Sequence, residues 1–196
     1  MPGAFEIFRT AYQDNKNAGI FVGEGQKIDV HGKIVYHKKP DEIINLESLY
    51  HWLEGGDFMQ PSCMFTRETW LKCGPLNEDI HISLDVDLWL RIARAGIEFV
   101  SVNELISVAL NHPNAKTQAF KNLMLVDCAL TIAGHGGVHA VRKPLTDMSH
   151  RLSWLQENYE ILVKHPLLKF ARPIIKRIGK QGSYWNSKIP PWVYGE

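Results

Sequence analysis

The sequence predicts an α/β fold: a sheet flanked by helices, followed by a helical extension. Over about the first 110 residues, short runs rich in β-branched and aromatic side chains alternate with amphipathic segments, the pattern of strands interleaved with helices. Over the last 60 or so, only helical patterning remains. The chain has 196 residues, enough for one domain with a substantial core.

The elements are read in order. Pro2 to Asn15 is expected to be a helix, because proline suits a first turn and Phe5, Phe8 and Tyr12 recur at helical spacing. Gly19 to Gly23 is a short apolar strand, and Lys27 to His37 a hairpin turning at His31-Gly32-Lys33. Asp41 is expected to cap a helix running to Leu53, which Gly55-Gly56 ends. Phe58 to Thr66 reads as a strand, Arg67 to Lys72 as a short helix, and Gly74-Pro75 as its stop. A helix follows over Ser83 to Ala95, with Ser83 as its cap and Leu84, Leu88, Ile92 and Ala95 as its buried stripe. Strands are expected at Glu98 to Val102 and Leu105 to Leu110, then helices over Ala119 to Ala133, Pro144 to Lys164 and Leu167 to Gly179. Gly134 to Gly137 is a helix break, and Tyr184 to Glu196 is irregular. The change of character predicts a boundary between 1–118 and 119–196.

Composition narrows the function classes. A net charge of +1 gives no global argument for nucleic acid or an acidic substrate, and no nucleic-acid partner is expected. Three scattered cysteines do not make a disulfide framework, so a reduced, cytoplasmic setting is expected. The opening residues are not expected to be a signal peptide, and no apolar run is long enough to span a bilayer. Cys128, His135 and His139 match no ordinary zinc spacing. The segment 164–180 carries six cations and no acid among apolar residues, a pattern suited to peripheral contact with an anionic membrane or to a packed terminal helix.

The acidic stretch Ser83-Leu-Asp-Val-Asp-Leu-Trp-Leu-Arg91 is the most informative. It puts Asp85 in the first turn of a helix and Asp87 just beyond, both away from the stripe, with Asp87 and Arg91 spaced to pair. A helix dipole favours acids there, so position alone does not imply catalysis.

Five pieces in register carry a resemblance: Gln60-Pro-Ser-Cys-Met-Phe-Thr-Arg67, Gly74-Pro-Leu-Asn-Glu78, Asp85-Val-Asp-Leu-Trp-Leu-Arg91, Gly96-Ile-Glu-Phe-Val100 and His112-Pro-Asn-Ala-Lys-Thr117. Together, over about residues 2–118, they resemble the later, acceptor-side half of a family 2 glycosyltransferase of the GT-A fold. Leu84 and Asn111 stand where many relatives carry Glu and Arg. The resemblance implies a partial GT-A sheet and inverting transfer of a sugar from a nucleotide-linked donor to a hydroxyl of a glycan or lipid-linked acceptor, in polysaccharide or glycoconjugate synthesis. It implies Asp85 as the catalytic base, and Gln60, Ser62, Asp87, Trp89 and Arg91 as substrate-binding or architectural. His112 and Lys116 would face the diphosphate, His112 also being a candidate metal ligand. The intact enzyme would use a divalent ion, Mn or Mg, held by paired aspartates that the resemblance puts ahead of Met1, so this chain alone is expected to be a truncated, inactive part of a longer enzyme. Two other readings fit the residues: a non-catalytic acceptor-binding fragment or partner subunit, and a peripheral membrane module built on 164–180.

Overall fold

The structure, a computed structural model, describes residues 1–80, 82–112 and 120–164. Four strands and six α-helices occur among them, a mixed α/β architecture around a small open sheet. Two compact units divide the chain, Met1–Pro144 and Leu145–Glu196.

The centre of the sheet is β1, Ile20–Ile28. Its first residues, Ile20, Phe21 and Val22, are apolar on both faces and fully buried, as a central strand requires. Along one edge β4, Phe99–Leu110, runs parallel to it for its whole length. The other edge is shared by two antiparallel strands: β3, Cys63–Phe65, pairs with Ile20–Val22, and β2, Ile34–Lys38, pairs with Gly25–Ile28.

The two strands expected at Gly19–Gly23 and Lys27 onward are thus one continuous strand. Gly23 and Gly25 look like breaks in the sequence, but they are contacts: a Cβ on Gly23 would lie 2.1 Å from Ile106, and one on Gly25 would lie 2.5 Å from Ser62 Oγ. Likewise the strands expected on either side of Asn103-Glu104 are one strand, with a register shift where Val102 and Leu105 pair with Gly23 and Glu24. The hairpin turn is where expected. Asp29 Oδ1 accepts hydrogen bonds from the His31 and Lys33 amides, and Gly32 takes φ 80°.

Helix α1, Ala4–Asp14, buries Phe8 against Phe21 and Ile106 and leaves Phe5 exposed. Helix α2 is only Leu46–Tyr50, followed by a 3₁₀ turn, Trp52–Glu54. Its cap is Asn45 and not Asp41: Asn45 and Ser48 exchange side-chain-to-amide hydrogen bonds of 3.0 Å each, a reciprocal cap, while Asp41 Oδ1 accepts from Lys38 Nζ at 2.8 Å. The strand expected from Phe58 begins only at Cys63, because Gln60–Ser62 forms a 3₁₀ turn around Pro61. Helix α3, Arg67–Cys73, is capped by Thr66 and stops at Gly74.

Helix α4, Leu84–Arg94, packs on α2, α3 and α5. Helix α5, Lys121–Gly134, ends at the expected glycine break, where Gly136 takes φ 94°. Helix α6, Val138–Lys164, begins six residues before the expected Pro144, and its Ala140 and Val141 are buried. By compactness, α5 and the first turns of α6 belong to the first unit, and the division falls at Pro144/Leu145. The helix expected over Leu167–Gly179, the basic stretch beyond Lys164 and the tail from Tyr184 lie outside the described residues, as does Lys116.

Candidate functional site

The entrance of α4 is where the sequence concentrates its chemistry, and burial separates the two aspartates there. Asp87 is 5% exposed, and so belongs to the interior instead of lying off the apolar stripe as expected. One of its oxygens receives the Arg91 Nε hydrogen bond at 2.9 Å, which realises the expected i to i+4 pair. The other is 2.8 Å from His135 Nε2, beyond the C-terminal end of α5. Asp85 is half-buried and stays in reach of solvent. Its Oδ1 accepts from the Val86 amide at 2.9 Å, which orients the carboxylate along the first turn. Burial pushes the thiols of Cys63 and Cys128 up to about 12, and the negative charge of Asp85 adds to both shifts.

Ser83 occupies the N-cap position but does not cap in the expected way. Its amide and hydroxyl both donate to Asp127 Oδ2, at 2.8 and 2.7 Å, and its Oγ lies 2.8 Å from Thr131 Oγ1. The acceptor for the amide and hydroxyl of the N-cap residue therefore comes from another helix. The result is a polar ladder between two helices. Ser83, Asp87 and Arg91 recur every four residues on α4, and Asp127, Thr131 and His135 recur every four on the facing side of α5. Beside it lies a recess of about 370 Å³ lined by Asn77, Ile80, Asp87, Asp127, Thr131 and His135, among others.

The remaining residues singled out from the sequence are dispersed. Trp89 is buried with its ring edge-to-face against Phe58 and Phe65, at 5.7 and 6.1 Å between centroids. Ser62 is fully buried at the end of the 3₁₀ turn: its hydroxyl donates to the Glu24 carbonyl at 3.2 Å and meets Ser107 Oγ at 2.5 Å. Its burial makes Ser62 a packing group between the 3₁₀ turn and strands β1 and β4. Gln60 is exposed on the 3₁₀ turn before β3. His112 is half-buried just past the end of β4.

Asp127, Thr131 and His135 form the part of the site that sequence reasoning missed. The signal was present as matching four-residue spacings on two helices, but no spacing says which helices face each other. Among the described residues, no helix is long and apolar enough to cross a membrane. No protein-family model matches the chain, and neither does any curated protein sequence.

Proposed function

We propose that this chain forms the acceptor-side part of a GT-A-type inverting glycosyltransferase, with Asp85 as the base. The single observation that carries the reading is the division of the acidic pair: Asp87 is buried and engaged with Arg91 and His135, while Asp85 keeps solvent access at the helix mouth. An architectural aspartate beside an accessible one is what a proton-accepting carboxylate on a rigid helix needs. Ser83, Asp127, Asp87 and Arg91 hold that helix, so Asp85 can keep its aim.

In this reading the acceptor hydroxyl gives its proton to the Asp85 carboxylate while its oxygen bonds to the anomeric carbon. The nucleotide diphosphate leaves from the opposite face, taking the bonding pair, and the sugar's configuration inverts. Positioned general-base help is typically worth about 10²- to 10⁴-fold.

A divalent Mn or Mg ion, which the reading implies for the donor diphosphate, prefers an all-oxygen shell. Among the described residues, the one group of three His, Cys, Asp or Glu side chains close enough to share an ion includes two histidines. No step is therefore assigned to an ion held by these residues. Sugar donor, acceptor class and location in the cell belong to the same proposal, with a cytoplasmic enzyme that acts on a glycan or lipid-linked acceptor.

The test is Asp85→Asn in the protein that carries this chain. Transfer from a nucleotide-sugar donor is expected to fall by about 10²- to 10⁴-fold, with donor affinity by calorimetry unchanged. Turnover within a few-fold of the unsubstituted protein would move the base elsewhere.

A further inference from the structure

A second group of side chains comes from α2 and α6 and includes none from α4. Glu47 is in the first turn of α2, and His51, four residues on, caps that helix, so both project from one side. His139 comes from the first turn of α6. His139 Nε2 is 2.8 Å from Glu47 Oε1, and His51 Nε2 is 3.8 Å from that same oxygen. All three donor atoms fall within 4.8 Å of one another.

We propose that Glu47, His51 and His139 bind a single divalent transition-metal ion, zinc above all, with solvent completing the shell. Two imidazoles and a carboxylate are a borderline donor set, suited to zinc and its neighbours and poorly suited to magnesium or calcium. Zinc bonds these donors at about 2.0–2.2 Å, so in a tetrahedral shell the donor atoms sit roughly 3.4 Å apart. The separations of 2.8 and 3.8 Å from Glu47 Oε1 bracket that value, and the two imidazole donors lie within 4.8 Å of each other.

Two further features point to a ligand. Glu54 Oε1 lies 3.5 Å from His51 Nδ1, the ring nitrogen opposite the proposed ligand atom. At that separation the carboxylate is within ion-pair reach of the ring, and a small rotation would bring it into the contact that orients metal-binding imidazoles. His139 is held by the fold as well. Its ring stands edge-to-face on Tyr50 at 5.8 Å, and the Tyr50 hydroxyl donates to the His135 carbonyl at 2.6 Å, tying the turn before α6 to α2. Gly137 lets that turn close on the ring, since a Cβ there would lie 2.5 Å from Tyr50. Side chains brought together from positions 92 residues apart are thus held by contacts that do not depend on the ion.

This proposal is independent of the glycosyl-transfer reading. Its test uses the full chain without a histidine tag, stripped with chelator and titrated with zinc chloride by calorimetry. Cobalt replaces zinc in a parallel run read by visible absorption. One equivalent is expected to bind, with a cobalt spectrum lacking thiolate charge-transfer bands. His51→Ala and His139→Ala should each weaken binding at least about tenfold, and Glu54→Gln by about tenfold through loss of the orienting carboxylate. Circular dichroism checks that each variant folds, and exposed His139 makes the safest substitution. Equal zinc affinity in wild type and His139→Ala would show an adventitious ion only and overturn the proposal. So would thiolate bands in the cobalt spectrum, or no zinc binding at micromolar concentrations.

Discussion

At Asp57 the fold keeps a carboxyl group almost out of water, with Oδ2 lacking a hydrogen-bond partner among the described residues. Burial raises its pKa from the ordinary 3.8 to about 6, and a hydrogen bond from Ser48 only partly opposes this. The sign follows from which state holds the proton. Below about 3.8 both the folded and unfolded chains are protonated there, and the group is neutral for stability. As pH rises towards 6 the unfolded chain ionises first, so the folded state loses stability, and above 6 the loss is complete. The penalty at neutral pH is up to about 3 kcal/mol. Asp57→Asn is therefore expected to raise unfolding stability by on the order of 1–2 kcal/mol at pH 7.5, since the amide is still buried, and to change little at pH 4. Urea denaturation at the two pH values checks this, and an equal effect at both would contradict it.

Between elements, the ladder joining α4 to α5 holds the catalytic candidate in place. Asp87 contributes to it twice, through Arg91 on its own helix and through His135 beyond the end of α5. Removing the carboxylate with Asp87→Ala leaves two nitrogen donors without their acceptor in a largely desolvated place. The expected loss is about 2–3 kcal/mol, below the full cost of breaking a buried pair because Arg91 is partly exposed. Chemical denaturation measures it. Asp87→Asn should retain part of the loss, and no destabilisation by either variant would mean the ladder is decorative. The sequence showed α4 itself well, with bounds within a residue of those observed and the Asp87–Arg91 pair in place. It misjudged Ser83, because a serine before an apolar-periodic run reads as its own cap, whereas its hydroxyl is taken by Asp127 from a distant helix.

Across the whole molecule, the first unit ends at Pro144, inside a continuous helix. Its core is assembled from strand β1, helix α4 and the aromatic group around Trp89, all before that residue. A chain ending at Pro144 is thus expected to unfold cooperatively, with a denaturant midpoint close to that of the full chain. Loss of cooperative unfolding would show that the later residues are part of the same folding unit. The sequence pattern changes at 118/119, whereas the compact units divide at Pro144. A switch from alternating to purely helical pattern marks where strands end, and helices of either unit look alike in periodicity.

Local patterning by itself determined the α/β class, the positions of α1, α3, α4 and α5, the hairpin at Gly32 and the glycine break before α6. Each depends on neighbours within about one turn, where spacing, capping and backbone freedom act directly. Only the tertiary structure decided that β1 runs unbroken through Gly23 and Gly25, that β4 lies parallel beside it, and that Asp87 is buried while Asp85 is not. The same holds for the meeting of Glu47 and His51 with His139. These depend on which surfaces pack together, and packing joins residues whose separation along the chain carries no periodic trace.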